Sequence, residues 1–287
     1  MFINPHHLRQ QVQQWLEEDV GPGDVTCDAT IPAGIQGKAI MHSKAEGIFA
    51  GIPVLTAVFR EVDPSLAVNP LVQDGNRISK GMVIAEIIGN VHSILKAERV
   101  ALNIVQRLSG IATKTNRLAE KAKAGNPNVR LVDTRKTTPG LRMLEKYAVR
   151  IGGGSNHRYG LFDAVLIKDN HIKAAGGLQE AVAMARKTVP HTMTIEVEVE
   201  NLAQVSEALE AKADIIMFDN MSIEQMKKAV EMIGEAAVTE ASGGINIDNI
   251  TEVAAIGVDV ISMGSLTYSV EALDISLDLY GKKTANA

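Results

Sequence analysis

Two adjacent cations, Arg135 and Lys136, lie in the stretch DTRKTTPGLR, which follows directly after the mostly apolar run Val129–Val132. The apolar run has the length and composition of a buried strand, so its polar exit is where side chains become available for chemistry. A guanidinium binds carboxylates and phosphates with two parallel hydrogen bonds, and a lysine acts on them as a point charge. This stretch therefore predicts a binding site for an anion.

The distribution of charge along the chain also favours an anionic ligand. The 287 residues have a net charge of −5, which argues against nucleic-acid binding, because that binding requires an excess of clustered Lys and Arg. Residues 133–173 nevertheless contain eight Lys and Arg against four Asp and Glu, a local net charge of +4. A cationic patch on an acidic chain is typical of a site for a small anion.

A second candidate group consists of carboxylates on the segment IEVEVE, Ile195–Glu200. If this segment is an inner strand, its valines face outward and Glu196, Glu198 and Glu200 point into the interior of the fold; the alternative is an exposed edge strand with an acidic face. Asp219 ends the next predicted strand, so Glu198 and Asp219 could meet and hold Mg²⁺. The alternative for Asp219 is a simple helix cap.

Glycine-bearing loops follow the last two predicted strands. They are Ser242–Gly244 and Met263–Ser265, and unhindered amides at such loops bind phosphate oxygens. Plain turns are the alternative. Lys168, at another strand end, is either a Schiff-base lysine or a cation for a carboxylate or phosphate.

The elements that must position these residues form a repeating series. Short strands and helices alternate about six times after residue 127, which predicts a parallel sheet. Because no Gly-x-Gly-x-x-Gly fingerprint is present, a β/α barrel is favoured over an open sheet, and its active site would lie at the carboxyl ends of the strands. The predicted strands are Val129–Val132, Ala164–Ile167, Thr194–Val199, Ile215–Phe218, Ala236–Ala241 and Val258–Ser262; the predicted helices are Leu178–Thr188, Leu202–Ala211, Ile223–Ile233 and Ile247–Ile256.

The N-terminal part of the chain has a different pattern. His6–Asp19 is predicted to be a helix, and Gly37–Ile94 is predicted to be a small β-rich module because its apolar blocks are short and separated by glycines. Ser93–Lys123 is a long amphipathic helix that would bridge two domains, and Gly110 inside it could mark a bend.

The composition predicts a cytoplasmic protein that does not interact with membranes. Cys27 is the single cysteine, which excludes an intramolecular disulfide framework. The longest apolar segment, Gly47–Phe59, is interrupted by Gly51 and Pro53 and is shorter than the roughly 20 residues of a bilayer span.

Together with the residues named above, nearly the whole chain resembles the quinolinate phosphoribosyltransferase family, whose members are also called carboxylating nicotinate-nucleotide pyrophosphorylases. The similarity lies in many motifs that occur in the same order. They are EDVGPGDVT (Glu18–Thr26), NIVQRLSGIAT (Asn103–Thr113), DTRKTTPGLR, EKYAVRIGGGSNHRYGLFDAVLIKDNH (Glu145–His171), IEVEVE, FDN and SGG.

The resemblance implies both an activity and a domain plan. The expected reaction joins quinolinate and phosphoribosyl pyrophosphate, with Mg²⁺, to give nicotinate mononucleotide, pyrophosphate and carbon dioxide in NAD biosynthesis. The expected α/β fold is an incomplete β/α barrel of parallel strands over residues 113–269, with a smaller N-terminal α+β open-sandwich domain over 1–112 that residues 270–287 complete. A homodimer is also implied, in which Arg107 reaches the site of the partner subunit.

The resemblance further implies roles for individual residues. Thr134, Arg135, His157, Arg158 and Lys168 would surround the carboxylates of quinolinate. The ribose, the pyrophosphate and the metal would be bound by a second set, in which Glu198 and Asp219 are the metal ligands: Lys136, Glu198, Asp219, Ser242, Gly243, Gly244, Met263, Gly264 and Ser265. Lys136, Lys168, Glu198 and Asp219 are the expected catalytic residues. Tyr268 stands where some relatives have a histidine, which leaves one outer phosphate contact open.

Several alternatives to this function remain at this stage. A related pyrophosphorylase with another acceptor, such as the molybdenum-associated branch of the same fold, or one that uses nicotinate without decarboxylation, would share most of these motifs. A Schiff-base aldolase would use Lys168. A lipoyl-type or biotinyl-type carrier module would use Lys44 in the β-rich region.

Overall fold

The computed structural model describes residues 3–280 and divides the chain into two units. Unit 1 comprises Met1–Lys114, Met143–Gly152 and Ser269–Ala287, and unit 2 comprises Thr115–Arg142 and Gly153–Tyr268. The sequence placed the first boundary near residue 112 and assigned 143–152 to the barrel. In the structure 143–152 belongs to unit 1.

The described residues form eleven helices and twelve strands. The helices are α1 (Pro5–Val20), α2 (Val25–Thr30), α3 (Ile52–Val62), α4 (Val91–Gly125), α5 (Arg142–Ile151), α6 (Asp169–Ala175), α7 (Leu178–Thr188), α8 (Leu202–Glu210), α9 (Ile223–Ile233), α10 (Ile250–Ala255) and α11 (Ser265–Tyr268). The strands are β1 (Gln36–Ser43), β2 (Gly47–Ile48), β3 (Ala67–Pro70), β4 (Arg77–Ile78), β5 (Val83–Asn90), β6 (Arg130–Val132), β7 (Val165–Ile167), β8 (Ile195–Val199), β9 (Ile215–Asp219), β10 (Val238–Ser242), β11 (Val260–Ser262) and β12 (Ile275–Tyr280).

Unit 1 is built on a four-stranded antiparallel sheet in the order β12-β1-β5-β3. The last strand of the chain pairs with the first, so that Ala39 lies opposite Leu279. Residues 270–280 therefore contribute a strand to the N-terminal sheet. Residues 281–287 of the segment predicted to complete this domain lie outside the described residues.

Helix α3 lies within residues 37–94, where the sequence predicted several strands with turns and no helix. Ile52–Val62 is helical, with Pro53 in the first turn, where its missing N–H costs no hydrogen bond. Val54, Leu55, Val58 and Phe59 are fully buried and lie on one face of this helix. The short apolar blocks separated by glycines suggested strands. The buried apolar residues instead recur at the spacing of one helical turn, and this spacing determines the structure.

Helix α4 confirms the predicted long helix and extends over 35 residues, with Lys114 in unit 1 and Thr115 in unit 2. Gly110 within it has a packing role. A Cβ at this position would lie 2.1 Å from the carbonyl oxygen of Glu271, so only glycine permits the close approach of the returning chain.

Helix α5 lies in unit 1 because its polar side chains bind partners there. Glu145 is fully buried and accepts hydrogen bonds from Nε and Nη2 of Arg107 at 2.9 and 2.6 Å. Tyr147 donates a hydrogen bond to Asp74, whose other oxygen accepts the amides of Gly51 and Ile52.

Unit 2 contains a six-stranded sheet in the order β6-β11-β10-β9-β8-β7, and every pair in it is parallel. Beyond β6, Ser155 adds a single parallel bridge to Val132. Helices connect these strands, and the alternate positions Ile195, Val197 and Val199 of β8 are fully buried. The predicted α/β class, with a parallel strand series and a smaller N-terminal domain, is confirmed.

Within residues 3–280, none of the helices has both the length and the apolar character required to cross a membrane.

Candidate active site

The candidate site lies at the carboxyl ends of the parallel strands of unit 2. Strand register places Asp219 beside Ser242 and Ser242 beside Ser262 at the ends of β9, β10 and β11. One step deeper, Glu198, Met217 and Glu240 form a row across β8, β9 and β10. Because alternate residues of a strand share a face, both rows point to the same side of the sheet.

These strand ends line a pocket of about 360 Å³, called the cleft from here on. Nine of the residues predicted for the site line it together, including three of the four cations proposed for a diacid, all but Arg107: Thr134, Arg135, Lys136, His157, Arg158, Lys168, Glu198, Asp219 and Ser242. The side chains of Leu166, Met217, Asn220 and Ser262 complete the lining. The cations thus share one hollow.

Arg142 organises the loop that carries Arg135. Its guanidinium donates to Thr137 Oγ1 at 2.9 Å, to the carbonyl of Tyr159 at 3.1 Å and to the carbonyl of Arg135 at 3.3 Å. Arg158 is half-buried, and burial together with the nearby Arg135 lowers the pKa of its guanidinium. Two cations held this close repel each other, so an anion between them relieves that repulsion.

Lys168 precedes α6, and its ammonium forms an ion pair with Glu198 Oε2. Its main-chain amide donates to Nδ1 of His171 at 3.0 Å, which fixes the start of the helix. The lysine side chain is 43% exposed while that of Glu198 is 12% exposed, so the ammonium faces the open part of the cleft.

Glu198 and Asp219 are the carboxylates that fit a magnesium ion. Both line the cleft, on the adjacent strands β8 and β9. Mg²⁺ prefers carboxylate oxygens together with water and substrate phosphates, and this pair meets that preference. Asp219 Oδ2 also accepts a hydrogen bond from Asn220 Nδ2 at 3.0 Å, which orients the carboxylate.

The glycine loops lie against the cleft residues. A Cβ at Gly264 would come within 2.8 Å of the Lys136 side chain, and a Cβ at Gly243 within 2.3 Å of the Asn220 amide. Gly243 also has φ +83°, a conformation that favours glycine. Both glycines therefore allow the loops to approach groups that line the cleft.

The other predicted site residues do not line the cleft directly. Arg107 lies in unit 1, where it binds Glu145. Met263 is buried and its amide donates to Val132 O at 3.0 Å, and Ser265 begins α11. Gly244 is exposed and its carbonyl accepts from Asn249 Nδ2 at 3.1 Å.

Glu200 does not point into the interior, and this part of the sequence prediction is wrong. Strand β8 ends at Val199, and Glu200 is exposed. Its amide donates to Gln204 Oε1 at 2.7 Å, because the chain turns there into α8, which Asn201 caps.

Sequence reasoning missed a buried cluster formed by His157, Glu196 and Glu240. His157 Nε2 lies 3.2 Å from Glu196 Oε2 and 3.5 Å from Glu240 Oε1. Burial alone lowers the pKa of His157, but the bonds to both carboxylates outweigh it and raise the pKa to about 10. Burial raises the pKa of Glu196. The alternation of IEVEVE indicated an inward Glu196, whereas no local signal in VTEAS marked Glu240.

The proton distribution in this cluster follows from a backbone contact. The amide of Arg158 donates to His157 Nδ1 at 2.8 Å, so this nitrogen presents its lone pair. In the neutral imidazole the hydrogen is therefore on Nε2, facing the glutamates.

A larger, mostly apolar cavity of about 1050 Å³ lies within unit 1, among α1, α3 and α5. Its polar lining consists mainly of surface residues such as Arg9 and Glu61, which pair with each other at 2.9 Å. The smaller cleft of unit 2 is the better candidate, because it combines several cations with two carboxylates at strand ends.

A cleft of cations and carboxylates at the carboxyl ends of parallel strands is typical of β/α enzymes, whose active sites lie at that end of the strands. Comparison with family models agrees. The N-terminal and C-terminal domain models of quinolinate phosphoribosyl transferase match residues 24–109 and 111–278. The chain belongs to this family, as the sequence motifs predicted.

Individual relatives match along almost their whole length. A probable carboxylating nicotinate-nucleotide pyrophosphorylase from Methanocaldococcus jannaschii is 48% identical over 271 residues, covering 92% of this chain and 94% of the relative. Decarboxylating quinolinate phosphoribosyltransferase 1b from Nicotiana tabacum is 42% identical over 293 residues, covering 96% and 83%. The crystal structure of NadC from Streptococcus pyogenes matches with a TM-score of 0.93 at 41% identity, covering 98% and 100%.

Proposed function

We propose that the protein transfers the phosphoribosyl group of phosphoribosyl pyrophosphate to quinolinate and releases pyrophosphate and carbon dioxide, giving nicotinate mononucleotide for NAD biosynthesis. The observation that carries the proposal is the shared cleft, in which Arg135, Arg158 and Lys168 lie together with Glu198 and Asp219. Family membership supports the same reaction.

The cations account for recognition of the acceptor. Quinolinate carries two adjacent carboxylates, and the guanidinium groups of Arg135 and Arg158 can bind them in a bidentate manner. Lys168 adds a point charge, for which the incoming carboxylate competes with Glu198. A diacid thus fits this charge pattern better than nicotinate, which has a single carboxylate.

Transfer of the ribose requires stabilisation of the negative charge that develops on the leaving group. The pyridine nitrogen bonds to the anomeric carbon while the bond from that carbon to pyrophosphate breaks. Lys136 would stabilise negative charge on the departing pyrophosphate, and the loops at Ser242–Gly244 and Met263–Ser265 would bind phosphate oxygens through their amides. Glu198 and Asp219 would hold Mg²⁺, which would supply further positive charge for the leaving group.

Decarboxylation follows from the chemistry of the product. Once the ring nitrogen is alkylated, the bond from the ring to the 2-carboxylate breaks, carbon dioxide leaves and the electron pair stays on the ring carbon. The adjacent pyridinium and the cations of the cleft stabilise this charge until the carbon takes a proton. No residue needs to form a covalent bond to the substrate, so Lys168 acts as a cation.

The assembly and location of the protein are part of the proposal. We infer a homodimer in which Arg107 acts in the site of the partner subunit. We also infer a reducing, cytoplasmic location, which is supported by the single cysteine, Cys27, being buried and free.

The decisive experiment measures carbon dioxide released from quinolinate labelled at the 2-carboxylate. Release that requires phosphoribosyl pyrophosphate, with equal formation of nicotinate mononucleotide, is the expected result. Nicotinate offered as acceptor should give little product. Nucleotide formation from nicotinate at a comparable rate would contradict the proposal, and borohydride trapping of substrate on Lys168 would favour a Schiff-base aldolase instead.

A further inference from the structure

A buried series of polar contacts connects two glutamates below the cleft to the main chain of Arg158: Glu196 is hydrogen-bonded to His157, and Glu240 forms an ion pair with it. Glu196 Oε2 lies 3.2 Å and Glu240 Oε1 3.5 Å from His157 Nε2. On the other side of the ring, Nδ1 accepts the Arg158 amide at 2.8 Å. Both ring nitrogens of His157 are therefore engaged by the protein, and the ring joins strands β8 and β10 to the segment that carries Arg158.

The members of this series are almost inaccessible to solvent. The side chains of His157, Glu196 and Glu240 are 11%, 3% and 4% exposed. Burying two carboxylates beside one imidazole is costly, and an apolar group would fill the same space at lower cost. The cluster thus calls for a reason beyond stability.

The three groups could also be read as a metal centre, because their candidate ligand atoms lie within 4.8 Å of one another. The contact of the Arg158 amide with Nδ1 argues against that interpretation. It leaves the ring hydrogen on Nε2, the nitrogen that a metal would need. The hydrogen bond to Glu196 fits this tautomer.

The segment before Arg158 is fixed from a second direction. Fully buried Asp133 accepts the amide of His157 at 3.0 Å and the side-chain amide of Asn156 at 2.6 Å. The guanidinium of Arg158 donates from Nη1 to the carbonyl of Ala164 at 3.0 Å and lines the cleft. Asp133 thus locates the backbone, whereas the glutamates determine the orientation of the His157 ring and of the Arg158 amide that binds it.

We propose that Glu240, together with Glu196, is a positioning residue that acts through His157 to hold Arg158 for recognition of the quinolinate carboxylates. The inference rests on the proposed function and deepens it, since it assigns substrate specificity to two buried acids that do not line the cleft. His157 is then a link between the acids and the arginine, with both of its ring nitrogens already in use.

The test begins with Glu240→Met, which removes the carboxylate of the ion pair with His157 while keeping the volume. Quinolinate affinity, measured by isothermal titration calorimetry, should fall about tenfold, the usual scale for the loss of one buried polar contact. KM for phosphoribosyl pyrophosphate should change by less than about twofold, because Arg158 is assigned to the acceptor. Glu240→Gln keeps an oxygen acceptor and should restore most of the affinity.

A double-mutant cycle with Arg158→Ala separates positioning from general structural damage. If Glu240 acts through Arg158, Glu240→Met should have little further effect on quinolinate affinity once Arg158 is alanine. Asp259→Asn is the matched control in the same unit, since Asp259 precedes β11 and binds Thr239 at the opposite strand ends. It should leave quinolinate affinity unchanged.

Three outcomes would overturn the inference. These are equal losses in the parent and Arg158→Ala backgrounds, equal losses for both substrates, and equal losses for Glu240→Gln and Glu240→Met. If Glu240→Met does not fold by circular dichroism, Glu240→Asp, which shortens the reach, enters the same cycle. A parent protein that neither binds quinolinate nor releases carbon dioxide would instead refute the proposed function.

Discussion

At the residue scale, the site is a balance of opposite charges in the cleft and directly below it. Lys168 pairs with Glu198, and His157 faces Glu196. The sequence predicted which residues stand at strand ends, because residue type and position are local properties. It could not predict these pairings, since they depend on strand register and on the path of the loop over residues 152–164.

Removal of one cleft cation should impair catalysis strongly. Arg135→Ala and Lys168→Ala should each lower kcat/KM for quinolinate by far more than about tenfold, because each removes one partner of a desolvated ion pair with the substrate. Steady-state kinetics with quinolinate as the varied substrate measures this. Lys173→Ala is the control, since Lys173 is 73% exposed and pairs with Asp169 on the surface. Near-parental kinetics from folded Arg135→Ala would contradict the assignment.

Neutralising Glu198 should affect the metal more than the acceptor. In Glu198→Gln the amide is a weaker ligand for Mg²⁺ than a carboxylate, so the concentration that gives half-maximal activity should rise about tenfold or more. Glu200→Gln, two residues away and exposed, should behave like the parent. A magnesium titration of Glu198→Gln that coincides with that of the parent would remove Glu198 from the metal site.

At the element scale, periodicity gave most of the barrel series and missed several helices. Helices α7 and α9 have the predicted bounds, Leu178–Thr188 and Ile223–Ile233, because their apolar faces repeat over three turns. Helix α3 lies in a region that was predicted to form strands because its apolar blocks are short and separated by glycines, and tertiary burial of one helical face overrides that pattern. Helix α5 was not predicted because its buried face carries Glu145 and Lys146, which are charged.

Gly110 in α4 should resist substitution although alanine is a better helix former. Gly110→Ala gains about 1 kcal/mol of helix propensity but places a Cβ against the Glu271 carbonyl, so we expect a net loss of about 1–3 kcal/mol in the free energy of unfolding. Urea unfolding followed by the fluorescence of Trp15, the single tryptophan, reports on unit 1. Arg117→Ala, at an exposed position of the same helix, should change stability by less than about 0.5 kcal/mol. A stabilised Gly110→Ala would show that the Glu271 segment moves aside easily.

At the scale of the whole molecule, the two-part organisation could be read from the change in pattern near α4. What the sequence could not show is which distant segments join which unit. Strand β12 pairs with β1, although more than two hundred residues separate them in the chain. Helix α5 is attached to the rest of unit 1 through hydrogen bonds of Arg107 and Tyr147. Such contacts depend on buried polar partners that have no periodic signal.

The predicted dimer makes the position of Arg107 testable. Arg107 lies in unit 1 and is 29% exposed beside Glu145, whereas the cleft belongs to unit 2. If Arg107 acts in the partner's site, a heterodimer of Arg107→Ala and Lys168→Ala subunits contains one complete site and one that lacks both residues. Such a heterodimer, co-expressed with two affinity tags and purified through both, should recover about half of the parental activity, because a twofold dimer has two equivalent sites. Each variant alone should be nearly inactive and serves as the control. A doubly tagged heterodimer no more active than the two homodimers would place the action of Arg107 within its own subunit.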